Sequence, residues 1–428
     1  MEDFLTVCKS KDENAILKML ETIDFDLKDE NNATLLHHII DQELEEVALV
    51  LIQKIMDSEK YYLLSFPDQD GNTPLIASCE LNLIQVATRL LETKHSNPSY
   101  IDESGYSALT LCCLNENLEK VGLQILQEDA TSPYIGHPSV DLERTPLMYA
   151  CFNNLDSLAY NISQCSSANI FYIENHTLKN ALMYALEAGL DEVSDYLIEQ
   201  MDDFTQVDIE GNTALILACG NTMEPQALKI LEKGNCLVEL LDEGTDTSLI
   251  MACANEMEET SLKILEYCKE THEYLFHKDE EGLTAFDYAC ENNLLKVIEV
   301  FIHLLPIEKS IPALTKHRLY SILKKLIDNE KIGEAVKKIL FDDLCVSELL
   351  EIISKVTSSD SLDNLDKYIK KLEESPIDCL ICCKPTVTHY LLTPCKHVLK
   401  IDATCLSKVD DCPICRVHID EKNVVFMV

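Results

Sequence analysis

The chain has 428 residues, 46% of them apolar, and its 75 Asp and Glu against 35 Lys and Arg leave a formal charge of −40. That length allows two to four domains, and the charge argues against general nucleic-acid or anionic-membrane binding, which needs clustered cations. The opening MEDFLTVCKSKDENAILKMLE carries no apolar run of secretory length, and no stretch reaches the roughly 18 uninterrupted apolar residues of a membrane span, so a soluble intracellular protein is expected, cytoplasmic with the nucleus open.

From the N-terminus, FLTVCKSKDENAILKMLE is a degenerate copy of a unit that recurs eight more times, for example as GNTPLIASCELNLIQVATRLL, ERTPLMYACFNNLDSLAYNI and GNTALILACGNTMEPQALKIL. A Thr-like position falls at Thr34, Thr73, Ser107, Thr145, Asn180, Thr213, Thr247 and Thr284, at intervals of 39, 34, 38, 35, 33, 34 and 37. Each unit reads as a turn, a short helix, a second helix and a loop. The turn signal is Asp-x-x-Gly, at Asp68–Gly71, Asp102–Gly105, Asp208–Gly211 and Asp279–Gly282. Gly supplies a positive φ, Asp binds its own following backbone, and the Thr caps the next helix. Cys8, Cys79, Cys113, Cys151, Cys219, Cys253 and Cys290 share one position, where two other units place Ile40 and Leu186. A slot that accepts Cys, Ile and Leu is expected to be buried, its thiols acting as small hydrophobes.

A period near 34 with Thr-Pro-Leu-x-x-Ala resembles the ankyrin repeat over residues 1–304. The histidine usual after Thr-Pro-Leu survives only as His37, and insertions near residues 56–68 and 128–140 lengthen two intervals. The resemblance implies a solenoid of about nine repeats whose turn tips and first helices bind an unidentified protein substrate. It does not imply a catalytic cleft.

Residues 305–375 lose the repeat. IPALTKHRLYSILKKLIDNE, KIGEAVKKILFDDL, SELLEIISKV and SLDNLDKYIKKLEES each have apolar residues at helical spacing. Leu319, Ile322, Leu323 and Leu326 are expected on one face. The segment reads as a helical cap on the end of the repeats, or as an arm positioning the C-terminal fifty residues.

Residues 376–428 carry seven cysteines, and from Cys379 onward six Lys and Arg against five Asp and Glu, or +1, leave −41 on residues 1–378. The acidic body reads as a solvated surface, or as one suited to a basic partner. Cys379-x2-Cys382 and Cys412-x2-Cys415 bracket Cys395-x-His397, a zinc-binding spacing in an intracellular chain. So few large apolar side chains cannot build a core alone, and metal binding worth about 10–16 kcal/mol would supply the missing stability.

The order resembles a RING finger, a small α+β domain in which two zinc ions are held in a cross-braced pattern. The resemblance implies one zinc on Cys395, His397, Cys412 and Cys415. It places the other on Cys379, Cys382 and Cys405, with no Cys or His at the fourth position. Asp402 keeps the two-residue spacing to Cys405 and has a carboxylate able to bind zinc. Cys383, His389 or water are other completions, and a metal-free first site is a further reading.

RING fingers hold a ubiquitin-conjugating enzyme and its thioester-linked ubiquitin in a reactive pose. The family's enzyme-contacting positions fall on Ile381, Val409 and Pro413, and its ubiquitin-positioning arginine on Arg416; local packing is the other reading of Ile381 and Pro413, and a solvated charge that of Arg416. CRVHIDEKNVVFMV is similar to the C-terminal strand of inhibitor-of-apoptosis RINGs, where it pairs two copies, here through Val424 and Phe426. The expectation is a mostly α chain acting as a RING-type ubiquitin ligase with two zincs. The alternative is a non-catalytic adaptor whose zinc module is a structural relic, which the odd ligand and the small Val409 favour.

Overall fold

The computed structural model describes residues 2–128, 130–236, 246–268, 272–317, 319, 322, 323 and 326, with strands at 377–378, 385–386, 389–393, 398–400 and 421–425. The chain divides into two compact units, Met1–Ala285 and Phe286–Val428.

The first unit is a stack of helix pairs: Glu2–Lys9 with Glu13–Met19, Leu35–Asp41 with Glu45–Asp57, Pro74–Glu80 with Ile84–Glu92, and Ala108–Leu114 with Glu119–Glu128. Pro146–Phe152 with Asp156–Ser163, Ala181–Ala188 with Asp191–Gln200, Ala214–Gly220 with Glu224–Lys233, and Ser248–Ala254 with Glu258–Tyr267 continue it. First helices pack on first helices of the next pair, and second on second.

Seven-residue helices do not persist alone, so local devices and packing must hold them. The expected caps are present at six positions. Thr73, Ser107, Thr145, Asn180, Thr213 and Thr247 accept hydrogen bonds from the backbone N–H three residues on. Six of the second helices start differently, on a buried Leu44, Leu83, Leu155, Leu190, Met223 or Met257 that makes no side-chain cap bond. Acidic residues in the first turn, such as Glu45, Asp191 and Glu258, offset the positive end of the helix dipole there.

The residue before that apolar cap is left-handed in six pairs: Glu43, Asn82, Asn154, Gly189, Thr222 and Glu256 have φ of 58 to 71°. The unit at Ser107 departs from this, using a 3-10 turn at Glu116–Leu118. The shared cysteine slot is buried throughout, including at Ile40 and Leu186.

The Asp-x-x-Gly turns form as expected, with Asp68, Asp102 and Asp208 each accepting backbone N–H bonds up to four residues on and Gly71, Gly105 and Gly211 at φ of 82 to 86°. Neighbouring turn tips are joined by backbone bonds: Gln69 N–H to Asn31 O at 2.7 Å, Glu103 to Asp70 at 3.2 Å, Val140 to Ser104 at 2.9 Å and Ile209 to Thr177 at 3.0 Å. A Cβ on Gly105 would sit 3.0 Å from the Val140 nitrogen, so this approach needs glycine for space as well as for φ.

Further bonds tie one pair to the next on the helix side. The Asn153 amide donates to Cys113 O at 2.9 Å, Asn221 to Leu186 O at 3.0 Å and Asn255 to Cys219 O at 2.9 Å. Each satisfies a carbonyl at the C-terminal end of the preceding first helix. His37 makes a similar tie at the N-terminal end. Its Nδ1 accepts from the Thr34 N–H, which leaves Nε2 protonated to donate to Asn72 O at 2.9 Å. Burial pushes the His37 pKa down, keeping it neutral in this role. The two insertions fold as 3-10 turns, Tyr61–Leu64 and Pro133–Gly136, which bury Leu63, Leu64, Tyr134 and Ile135.

In the second unit, helices at Ala285–Glu291 and Leu295–Leu304 bring Phe286 and Phe301 edge to face at 5.3 Å. A helix expected from Ile311 instead begins at Ile307, follows Pro306 as its cap, and contains Pro312. Pro312 sits six residues in, and Thr315 Oγ1 donates to its carbonyl at 2.8 Å. Leu319, Ile322, Leu323 and Leu326 are all buried, as their spacing predicts. The other connector helices, KIGEAVKKILFDDL, SELLEIISKV and SLDNLDKYIKKLEES, lie outside the described residues. Near the C-terminus, β1 (Ile377–Asp378) pairs antiparallel with β2 (Pro385–Thr386). β3 (His389–Thr393) pairs antiparallel with both β4 (Val398–Lys400) and β5 (Glu421–Val425), giving the order β4-β3-β5.

Candidate functional site

The expected zinc ligands Cys379, Cys382, Cys395, His397, Asp402, Cys405, Cys412 and Cys415 lie outside the described residues. So do Ile381, Val409, Pro413, Arg416 and Phe426. The strands around them are described. Asp378 pairs with Pro385 and so ties together the two ends of residues 379–384, the span of the first Cys-x-x-Cys. Leu391 pairs with Val398 across the hairpin that holds Cys395 and His397. Val424 is in β5 opposite Tyr390, and His389 lies in β3 opposite both Lys400 and Val425.

The helical cysteines are a different chemistry. Burial pushes the thiol of Cys8 up to about 11 and that of Cys253 up to about 12, and raises Cys113, Cys151 and Cys219 as well. A thiol that stays protonated at neutral pH is neither nucleophile nor metal ligand. Among the described residues no group of three or more His, Cys, Asp or Glu is placed to hold a metal.

The most distinctive side-chain cluster in the first unit lies where the turn tips meet the first helices around Tyr184. Between residues 121 and 228 the chain has 16 Asp and Glu but only two Lys and Arg side chains, Arg144 and Lys179. The fold brings both to the same ring. The Arg144 guanidinium lies 4.9 Å from the centre of Tyr184 and 4.8 Å from that of Phe152, and Lys179 Nζ lies 5.9 Å from Tyr184. Phe152 and Tyr184 meet edge to face at 6.1 Å.

The two cations are not equivalent. Lys179 is buried and bonded to Glu187 at 2.8 Å, with Asp208 at 3.6 Å. Burial opposes its charge, but these carboxylates outweigh that and raise its pKa. Arg144 makes no ion pair among the described residues, and its buried Nε has no hydrogen-bond partner.

Three polar anchors hold the tyrosine rings here. The Tyr184 hydroxyl donates to Glu174 at 3.2 Å. Burial works against the Glu174 charge, yet the Thr177 side chain and the His176 and Thr177 backbone N–H groups outweigh it and lower its pKa. Tyr149 shares a 2.9 Å bond with Ser139. Tyr106 donates to Asp141 at 2.8 Å, and burial, then that carboxylate, pushes the phenol pKa up.

Apolar side chains surround this cluster. Val140 is 67% exposed, Phe152 56% and Ile209 61%, with Leu142, Ile173 and Leu178 also exposed. Val140 and Ile209 lie on tips bonded through the backbone to the preceding tip, and the Asn175 amide donates to Glu143 between the two tips in the middle. Such an exposed apolar face is chemically suited to binding.

The sequence reading did not single out Arg144, Phe152 or Tyr184. The usable signal was the scarcity of cations in this stretch. It also missed Glu174, which takes the turn role of Asp in the unit at Asn180, where left-handed Leu178 replaces glycine. No protein-family model matches the chain, and no curated protein matches it.

Proposed function

We propose that the chain is a RING-type ubiquitin ligase. Its ankyrin-type repeats hold a protein substrate, and its C-terminal zinc finger holds a ubiquitin-conjugating enzyme for transfer to substrate lysines. The observation that carries this reading is the ligand spacing Cys379-x2-Cys382, Cys395-x-His397, Cys405 and Cys412-x2-Cys415 within the last fifty residues. The paired strands on either side of 379–384 and 394–397 support it, because hairpins that close over a short ligand pair suit a zinc site. The helix-pair repeat with its capped first helices supports the binding platform.

Thiolate and imidazole donors suit zinc, and Asp402 adds an oxygen donor compatible with it. Bound zinc would supply structure, not a Lewis acid. Ile381, Val409 and Pro413 would contact the conjugating enzyme, and Arg416 would donate hydrogen bonds across to ubiquitin. Val424 and Phe426 would pair two copies of the finger.

Purified chain incubated with ubiquitin, activating enzyme and a panel of conjugating enzymes should build ubiquitin chains. Cys379→Ser should abolish the product and Arg416→Ala reduce it about tenfold or more. Metal analysis should find two zincs, falling toward one in Asp402→Ala. The second reading, a non-catalytic adaptor, draws on Asp402 in place of Cys or His and on Val409 in place of a larger side chain. No product with any conjugating enzyme would select it.

A further inference from the structure

We infer that the face around Arg144 docks an extended segment of a partner protein that carries one carboxylate beside apolar side chains. The inference deepens the reading of the repeats as a binding platform, and rests on it, by naming the chemistry of the partner.

Arg144 carries the argument. In a stretch of 16 acids and two cations, the single guanidinium makes no ion pair among the described residues. It instead lies against both the Phe152 and the Tyr184 ring. Contact with two rings restricts the guanidinium and takes part of it out of water, which preorganises its N–H groups for a carboxylate. Lys179, the other cation at this ring, is already neutralised by Glu187 and Asp208 and cannot compete.

The surroundings set the rest of the ligand. Exposed Phe152 lies against Arg144, and Val140, Leu142, Ile173 and Ile209 lie along the linked tips. They offer apolar contact on both sides of the guanidinium. Asp141, Glu143 and Glu187 make the rim negative. Screening over roughly 8 Å at physiological salt lets one carboxylate reach Arg144, but a run of acids would be repelled. The preferred segment therefore has one Asp or Glu, apolar neighbours, and neutral or basic flanks.

The test pans a phage-displayed random 12-residue peptide library against the purified full-length chain. Enriched peptides are then measured by fluorescence anisotropy with wild type, Arg144→Gln, Phe152→Ser and the remote control Arg89→Gln. The expected consensus is a single acidic residue flanked by Phe, Leu, Ile or Val. Arg144→Gln and Glu→Gln in the peptide should each weaken binding about tenfold, and the two together little more than either alone. Phe152→Ser, at an exposed position, should weaken it about fivefold and covers the case in which Arg144→Gln does not fold.

A basic consensus overturns the inference, as does binding insensitive to Arg144→Gln and Phe152→Ser, or no enrichment at all. Self-ubiquitination of the same preparations separates this from the ligase reading. It should be equal in wild type and the remote control Arg89→Gln. Absence of peptide binding by wild type with its self-ubiquitination intact counts against this face alone, whereas absence of self-ubiquitination in wild type counts against the ligase.

Discussion

Thr222 holds φ at +58°, a conformation that costs a β-branched residue about 1–2 kcal/mol, and Gly189 occupies the same place in another unit. Thr222→Gly should therefore stabilise the chain. The extra freedom glycine gives the unfolded chain offsets part of the gain, so a net of about 0.5–1 kcal/mol is expected in urea unfolding. The neighbouring Asn221 works in the opposite sense. Its amide satisfies the Leu186 carbonyl of the preceding unit, and Asn221→Ala should cost about 1 kcal/mol.

Cys219 tests whether the shared cysteines are hydrophobes. Its side chain is fully buried and burial raises its thiol pKa. Cys219→Ser should cost about 1–3 kcal/mol by burying a hydroxyl, and the wild-type thiol should resist alkylation until the chain unfolds. Asp102 gives a pH dependence. Burial raises its folded pKa despite the backbone bonds from Tyr106, Ser104 and Gly105. The folded state then binds a proton more tightly than the unfolded one, so this group's contribution to stability falls as pH rises between the two values. Asp102→Asn keeps an acceptor for the Tyr106 N–H and should be more stable than wild type at pH 7, the difference closing as pH falls below the unfolded Asp range. Denaturation curves at several pH values would show it.

At the level of elements, legibility in the sequence tracks the reach of each signal. Thr213 caps a helix three residues away, and Asp208 accepts from residues two and four away, so both act inside a short window of sequence. The cysteine slot was legible because Ile40 and Leu186 share it. The Asn ties were not, because Asn153 and Asn221 find their acceptors 40 and 35 residues earlier. Nothing next to them distinguishes an asparagine that bridges from one that is solvated. The helix starting at Ile307 was missed for another reason. Pro312 reads as a first-turn residue, and only the place of Pro306 ahead of Ile307 shows that the helix starts a full turn earlier. The cluster at Tyr184 joins residues 144, 152, 179 and 184 from two units, so its parts are visible in sequence but their meeting is not. The zinc spacing is the converse case: its letters are legible, and its ligands lie outside the described residues.

Across the first unit, each helix pair packs on its neighbours in sequence, so stability should be the sum of intrinsic terms and junction terms. Leu215, fully buried, probes this. Leu215→Ala should cost about 2–5 kcal/mol locally, and hydrogen exchange should speed up in residues 181–254 before it does in residues 2–57. Under the zinc reading, chelation should separate the two units of the chain. Exchange should accelerate in β3 and β5, while the thermal transition of the helix pairs in Met1–Ala285 holds its position.

The asparagine ties have one more consequence. Asn153, Asn221 and Asn255 each reach for an equivalent carbonyl one unit back, at Cys113, Leu186 and Cys219. The junctions are in that respect interchangeable couplings. Excising residues 180–212 would bring Thr213 to the place of Asn180 and offer Asn221 the carbonyl of Cys151 in exchange for that of Leu186. A shortened chain joined this way should still fold cooperatively, as a train closes up when one carriage is taken out.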